Sequence, residues 1–517
     1  MAVERRDVQL RNRIPFLRRK VIKFEFLNQD NQEMTRGELF NRLVDSFGFE
    51  PTEGQKTVLY HLAAFLLSEK PNPTYLLQGY AGTGKTTLVT TLVKVLPLIG
   101  MRYQLLAPTG RAAKVLNSYT GKTASTIHRK IYRFMAFPNG GFKMARAENK
   151  FKNTVFIVDE CSMISDETSG NGRSLLDDLI EFVFGGENCR LLFIGDKAQL
   201  PPVGIDISPA NDINILKNSF SLTVASFEMT EVMRQALESG ILYNATELRK
   251  LISGQSPNWL MPDEFDDGKD PMLPLFRTNG FNDVNRIDPQ DFEELLQQSF
   301  NGNSGNEAVV ICRSNRRANM FNQAIRARVL QEDGEISTGD KLMVVKNNYF
   351  WTDESQKISF IANGDMIELM RINNTEEMYG FHFADVEIQL TDYQEEPNLS
   401  VKILLETLTS DAPALTQEES ERLYRSVEED YMDIPDRRER YKAMRQNPYF
   451  NALQVKFGYA LTCHKTQGGQ WPVVFLDAPF VPEGETLQIS DLRWFYTAVT
   501  RAQEKLYFVN FKEDYFF

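Results

Sequence analysis

Short stretches of this chain are apolar at nearly every position, and between them apolar residues recur at alternate positions or at helical spacing. Thr74-Tyr75-Leu76-Leu77, Thr154-Val155-Phe156-Ile157-Val158, Leu191-Leu192-Phe193-Ile194 and Val309-Val310-Ile311-Cys312 are continuous runs rich in β-branched and aromatic residues. Such a run is what a parallel strand buried on both faces requires. Leu88-Val89-Thr90-Thr91-Leu92-Val93 continues from the first run as a helix, and Arg313 to Ala318 reads as a helix start after the fourth. The fourth run therefore opens a second α/β domain. That domain is interrupted. Gly339–Val345 and Asn363–Leu369 are turn-bounded β segments, and Val386-Glu387-Ile388-Gln389-Leu390 alternates apolar with polar. Together they predict a small antiparallel barrel. Residues 415–447 are rich in Glu, Arg and Tyr and read as a solvated helical pair broken at Pro435. Residues 254–305 are polar and acidic and read as linker and loop.

Chemistry enters at the ends of the strands. Gly79-Tyr80-Ala81-Gly82-Thr83-Gly84-Lys85-Thr86 lies between the first strand and its helix, which is the context a G-x-x-x-x-G-K-[ST] string needs. Gly79, Gly82, Thr83, Gly84, Thr86 and Thr87 would surround the phosphates with backbone N–H groups and hydroxyls at a helix N-terminus. Lys85 would reach the β- and γ-phosphates, and Thr86 would ligate Mg²⁺. The loop alone leaves kinase, GTPase, transporter ATPase and helicase open. The second strand ends in Asp159-Glu160, where doubly wound sheets bind ligands. Asp159 can hold Mg²⁺ through water, and Glu160 can orient or deprotonate an attacking water. Paired acids of this sort point to hydrolysis. The third strand runs into Gly195-Asp196-Lys197-Ala198-Gln199, with Gln199 as a candidate γ-phosphate sensor or a plain strand-to-loop exit.

Composition narrows the partners. The 517 residues are 42% hydrophobic, a globular proportion, enough for about three or four domains. No stretch approaches the roughly 18 apolar residues of a membrane span. The arginines between Arg5 and Arg19 have no apolar run behind them, and Glu4 and Asp7 sit among them, so a solvated N-terminal arm is expected rather than a targeting signal. Cys161, Cys189, Cys312 and Cys463 have no CxxC spacing, which argues against a zinc site and fits a reducing compartment. The net charge of -12 argues against nucleic acid. Its distribution argues the other way. Between Arg111 and Lys152 there are ten Lys and Arg residues and one acid, Glu148, interleaved with Tyr132, Phe134, Phe137 and Phe142. Basic residues neutralise phosphates, and aromatic faces stack bases. Pro138-Asn139-Gly140-Gly141 is a turn signal, so Arg133 to Arg146 reads as a hairpin.

The ordered strings resemble the superfamily 1 DNA helicases of the RecD/Dda-like B branch over most of residues 50–517. Gln55 resembles the glutamine that reads adenine. Ala107-Pro108-Thr109-Gly110-Arg111-Ala112-Ala113 and Thr123-Ala124-Ser125-Thr126-Ile127-His128 resemble motifs that grip the DNA strand. Glu231-Val232-Met233-Arg234-Gln235 resembles the motif whose arginine touches the γ-phosphate. Tyr459 to Gly468 resembles the motif of the second motor domain, in which Thr462, His464 and Lys465 would contact DNA and Gln467 and Gly468 the nucleotide. Tyr496-Thr497-Ala498-Val499-Thr500-Arg501-Ala502 resembles the final motif, with Arg501 as arginine finger. After Gln467-Gly468 the family usually has an acidic residue two positions on; here Gly469-Gln470 stand instead.

The resemblance implies an α/β fold of two RecA-like P-loop motor domains, with a small hairpin insertion in the first and an SH3-like β-barrel insertion in the second. The expected boundaries are 1–50 for the arm and a helix, 51–235 for the first motor domain with an insertion at 117–152, and 236–305 for a linker. The second motor domain takes 306–338 and 452–517, and the barrel with a helical extension takes 339–451. The implied activity is ATP-dependent unwinding with 5′→3′ movement on single-stranded DNA, with ATP and Mg²⁺ as cofactors, in repair, recombination or replication. The hairpin is either a duplex-splitting pin with Phe137 or Phe142 near its tip, or a solvated basic loop. Expected partners are single-stranded and forked DNA, with a nuclease or single-strand-binding protein as candidates, and a monomer in the cytoplasm or on a nucleoid. The competing readings are a helicase subunit of an exonuclease V-type enzyme and a nucleotide-switched nucleic-acid-binding ATPase that does not unwind.

Overall fold

The computed structural model describes residues 34–136, 142–168, 172–232, 238–255, 272–300, 308–352, 360–393, 395–482 and 485–517. Its first half runs through β1 (Pro73–Gly79), β2 (Arg102–Ala107), β3 (Ala124–Thr126), a hairpin of β4 (Tyr132–Ala136) and β5 (Phe142–Arg146), then β6 (Thr154–Val158), β7 (Arg190–Gly195) and β8 (Thr223–Met229). Six of these form a parallel sheet in the order β3-β2-β6-β7-β1-β8. β1, β6 and β7 are buried at every position. Alternate residues feed opposite layers, as the two-residue period of a strand demands. Tyr75, Leu77, Val155, Ile157, Leu192 and Ile194 pack with helices Glu53–Leu66 and Lys85–Val95. Leu76, Phe156, Val158, Leu191 and Phe193 pack with helix Leu175–Phe184. Because the strands run parallel, the ends that carry the candidate site residues emerge at one edge.

The second half runs through β9 (Val284–Arg286) and β10 (Ala308–Cys312), then β11 (Lys341–Val344), β12 (Met366–Met378), β13 (Phe381–Leu390), β14 (Leu399–Leu404) and β15 (Leu453–Phe457), then β16 (Ala460–Thr462), β17 (Trp471–Asp477) and β18 (Ala502–Val509). β16-β10-β17-β18-β9 is a second parallel sheet, and β11 to β15 close a barrel. The long β12–β13 hairpin turns at Tyr379 and Gly380, with φ of +56° and +71°, the pair of left-handed residues that suits a tight hairpin. The fold is thus α/β, with two RecA-like lobes and an inserted barrel.

Three expectations differ in detail. Leu453–Phe457, expected in the second motor domain, closes the barrel by pairing with β11 and β14; its alternating apolar and polar residues, Leu-Gln-Val-Lys-Phe, suit a barrel strand or the edge of a flanking sheet. Residues 236–305 are more than linker. Helix Gly240–Ile252 buries Ile241, Ala245 and Leu248 in the second lobe's core, and β9 extends its sheet. The helical pair Gln417–Glu429 and Arg437–Met444 is not simply solvated, because Leu423, Val427 and Met444 bury against Phe381, Phe383 and Leu404 of the barrel.

Candidate nucleotide and nucleic-acid site

β1 ends at Gly79, and helix Lys85–Val95 starts directly after Gly84. Gly82 and Gly84 adopt φ of +75° and +91°, a conformation that turns amides inward and that side chains resist. The helix has no side-chain N-cap, so its first amides are open to an anion. Lys85 Nζ donates to the carbonyls of Gly79 at 2.5 Å and Tyr80 at 3.0 Å. Thr86 is exposed in the first turn, and Thr87 is half-buried, its carbonyl accepting from Thr91 Oγ1. Gln55 is buried behind the loop. Its Oε1 accepts from Thr52 N–H at 3.0 Å, and its Nε2 donates to Thr83 O at 3.1 Å. The residue expected at adenine thus also braces the phosphate loop.

Asp159 and Glu160 follow β6. Both Asp159 oxygens are engaged: Oδ1 accepts from Glu160 N–H at 2.9 Å, and Oδ2 from the Tyr119 hydroxyl at 2.6 Å. Burial, with the Glu160 charge beside it, raises the Asp159 carboxyl above the usual range. Glu160 sits at φ +52°, a strained position of the kind that collects at functional sites. Asp196, after β7, is buried and likewise raised, by burial first. Gln199 is buried, and its Oε1 has no hydrogen-bond partner among the described residues. A buried acceptor left unpaired calls for a donor, and the O–H of an attacking water would supply it.

Residues of the second lobe reach directly into this site. The Tyr496 hydroxyl accepts from Ala81 N–H at 2.8 Å and donates to Asp196 Oδ2 at 2.7 Å. Thr497 Oγ1 accepts from Leu200 N–H at 2.8 Å, and Gln467 Nε2 donates to Leu200 O at 2.6 Å. Tyr80 donates to Glu228 at 2.6 Å, and the Arg249 guanidinium lies 4.5 Å over its ring. Arg501 is buried within its own lobe. It donates to Thr497 O, Gly469 O and Thr500 Oγ1 at 3.0, 3.2 and 3.2 Å. Arg234 lies outside the described residues.

The same seam continues to the other motifs. Thr109 caps helix Gly110–Thr120 by accepting from Ala112 N–H, and Pro108 and Thr109 are half-buried beside it. Gly468 has φ +71°, and a Cβ there would stand 2.7 Å from Ala112 Cβ. The Arg111 guanidinium stacks 3.6 Å over Trp471. A Cβ on Gly110 would meet Asp365 Oδ1 of the barrel at 2.3 Å. Thr126 caps the short helix Ile127–Ile131, and the His128 ring packs 5.7 Å from Tyr132. Thr462 and Lys465 are half-buried and His464 exposed around the short helix Cys463–Thr466. Burial, with Lys456 adding repulsion, lowers Lys465 to about 8.

The hairpin extends from Tyr132 to Arg146, paired antiparallel. Its base is not freely basic. Arg146 pairs with Glu181 and, at 3.9 Å, with Asp178, which also accepts from the Tyr132 hydroxyl at 2.8 Å. Lys152 pairs with Glu187. These acids lie outside the basic stretch in sequence. Phe137 lies outside the described residues, and of Phe142 only the strand backbone is described. Sequence reasoning missed Tyr119, Tyr496, Trp471 and Asp365 as site residues; Tyr496 heads the final motif without its partners, and Tyr119 lies between the Ala107–Ala113 and Thr123–His128 strings, in neither.

Residues 64–205 match the AAA domain family, and residues 457–509 the UvrD-like helicase C-terminal domain family. An ATP-dependent RecD2 DNA helicase of Deinococcus radiodurans is 32% identical over 208 residues, 40% of this chain and 25% of its own length. An uncharacterized protein of Methanocaldococcus jannaschii is 25% identical across 85% of this chain and 36% of its own. The chain thus spans a quarter to about a third of these two relatives. The ATP-dependent DNA helicase dda of Enterobacteria phage T4 is 26% identical over 63% of this chain and 68% of its own. Among solved structures, a Bacteroides Pif1 helicase in complex with ADP-AlF3 and ssDNA covers 90% of this chain and 94% of its own, at 14% identity and a TM-score of 0.43. No helix among the described residues is long and apolar enough to cross a membrane.

Proposed function

We propose that this chain, which belongs to the superfamily 1 helicases of the RecD/Dda-like branch, is an ATP-driven motor that moves 5′→3′ along single-stranded DNA and separates duplex ahead of it. One observation carries the reading. A single seam between the lobes joins the phosphate loop, through Tyr496 to Ala81, with the start of the DNA-motif helix, through Gly468 against Ala112. Whatever opens or closes that seam at the nucleotide end must shift the lobes at the other end. Alternating closure of this kind is how a cleft becomes a motor.

In the hydrolytic step the amides around Gly82 to Thr86 and Lys85 bind the triphosphate. Glu160 takes the proton of the attacking water, and Gln199 orients that water. Arg501 supplies charge to the transferring phosphoryl after exchanging its intralobe bonds. A Mg²⁺ ion fits the residues present. Asp159 carries charge that its surroundings disfavour, and a carboxylate accepting two hydrogen bonds keeps lone pairs to spare. Thr86 presents an exposed hydroxyl. Among the described residues no cluster of three or more metal-binding side chains occurs, as suits an ion held largely by water and phosphate. When bound, the ion would neutralise phosphate charge.

The deciding experiment compares forked duplexes carrying 5′ or 3′ single-stranded tails. ATP-dependent unwinding of the 5′-tailed fork alone supports the reading. DNA-stimulated hydrolysis without strand separation on either fork overturns it in favour of a nucleotide-switched binder.

A further inference from the structure

Tyr119 lies at the far end of helix Gly110–Thr120 from Arg111, and its hydroxyl donates to Asp159 Oδ2 at 2.6 Å. Its carbonyl accepts from Thr90 Oγ1 at 3.4 Å, and Thr90 belongs to the helix that begins at Lys85 and also bonds Thr86 O at 2.9 Å. Tyr119 therefore touches the acid after β6 with its side chain and the phosphate-loop helix with its backbone. The other end of the same helix is held by four contacts. Thr109 caps it, Gly468 packs on Ala112, and Arg111 stacks on Trp471, while Asp365 of the barrel abuts Gly110. A helix of this length is a stiff rod of about 15 Å. Displacement at Thr109–Arg111 reaches Tyr119 with little loss, because close-packed interiors transmit strain.

We propose that Tyr119 is a positioning residue that reports the state of the DNA-motif helix to the hydrolytic acid Asp159. The inference rests on the helicase reading above and adds to it the path by which a bound strand governs turnover. A strand seated at Thr109–Arg111 fixes the helix, the hydroxyl stays on Oδ2, and the carboxylate keeps one orientation. Without the strand the same contact is made, but the helix is free to move about it, and Asp159 keeps that one orientation for less of the time. Tyr119 does not contact substrate; it acts through Asp159. Because Asp159 is held differently with the strand in place, DNA should alter the affinity of the site for a metal–nucleotide pair, and by linkage that pair should alter DNA affinity by the same factor.

The test is Tyr119→Phe, which keeps the ring and removes the hydroxyl. Mn²⁺ binding in the presence of ADP is followed by the EPR signal of free Mn²⁺, with and without an oligo(dT) strand, beside ATP turnover and oligo(dT) affinity. The expected result is oligo(dT) affinity within about twofold of wild type, while both the DNA effect on Mn²⁺ affinity and the DNA stimulation of turnover shrink by about fivefold or more. A merely structural role for Tyr119 would not move the Mn²⁺ linkage. If wild type shows both DNA effects and Tyr119→Phe keeps them at full size, the proposal is overturned and the helicase reading stands. If wild type itself shows neither, the helicase reading has failed.

Discussion

The Tyr496 hydroxyl is shared between the Ala81 amide of the phosphate loop and the Asp196 carboxylate, at 2.8 and 2.7 Å. A phosphate-loop amide committed to a second-lobe hydroxyl is a donor in competition with phosphate. Tyr496→Phe should therefore tighten ADP binding by about fivefold, close to 1 kcal/mol for one ordinary hydrogen bond. Unwinding per ATP should fall, because the seam no longer feels the loop. Fluorescent ADP titration checks the first part. Weaker ADP binding would mean instead that the hydroxyl preorganises the loop.

Glu160 and Lys85 should separate binding from chemistry. Glu160→Gln keeps size and hydrogen bonding but cannot accept a proton. Turnover should drop by about 10²–10⁴, the usual range for a general base, with ATP affinity retained. Lys85→Ala should abolish turnover and weaken ATP binding as well. Steady-state hydrolysis and nucleotide binding on the same preparations decide this, and normal turnover in either variant would remove the site assignment.

Gly468→Ala tests the seam at its DNA end. The added Cβ would meet Ala112 Cβ at 2.7 Å and Cα at 3.3 Å, and φ is +71°. Neither neighbour is the tip of a flexible chain, so the lobes must part or the loop must move. We expect about 1–3 kcal/mol of strain and loss of DNA-stimulated hydrolysis, while hydrolysis without DNA changes far less. Thermal unfolding and ATPase assays with and without oligo(dT) separate the two effects.

What the sequence made legible is what is local. Strand, glycine-rich loop and helix are contiguous from Thr74 to Val93, Asp159-Glu160 follow their strand directly and Gln199 lies four residues past Gly195, so the α/β class and the grouping of the candidate nucleotide residues were readable. The barrel was readable from turn-bounded segments, but its closing strand Leu453–Phe457 was not, because its residues suit a barrel or a flanking sheet. The individual contacts of the seam were not readable. Ala81 and Tyr496 are 415 positions apart, and no periodicity connects them. Charge misled in the same way: Arg146 and Lys152 look free in sequence, yet Glu181 and Glu187 answer them in space.

Deleting residues 137–142 tests the hairpin. Its base is anchored by Tyr132 and Arg146 on helix Leu175–Phe184, so removal of the tip should leave the lobe folded. A pin would then show as lost unwinding with DNA-stimulated hydrolysis spared. Survival of unwinding would leave the solvated basic loop as the correct reading.

Lys465 gives the last prediction, in opposite senses for two measurements. Burial first, then repulsion from Lys456, lowers it from near 10.5 to about 8. It is cationic at pH 7 and mostly neutral at pH 9. If it contacts a DNA phosphate, affinity for oligo(dT) should fall between those values, and the slope of log K against log salt should shrink by about 0.7, the loss of one contact on a single strand. Folding stability should move the other way. The unfolded chain holds this proton up to its ordinary value and the folded chain releases it earlier, so between about pH 8 and 10.5 the unfolded state binds more protons and Lys465 makes stability rise with pH. Lys465→Gln should remove the first trend and its own share of the second, leaving the share of Lys456, which burial also lowers to about 8. A salt slope that is the same at pH 7 and pH 9 in wild type would exclude Lys465 as a phosphate contact.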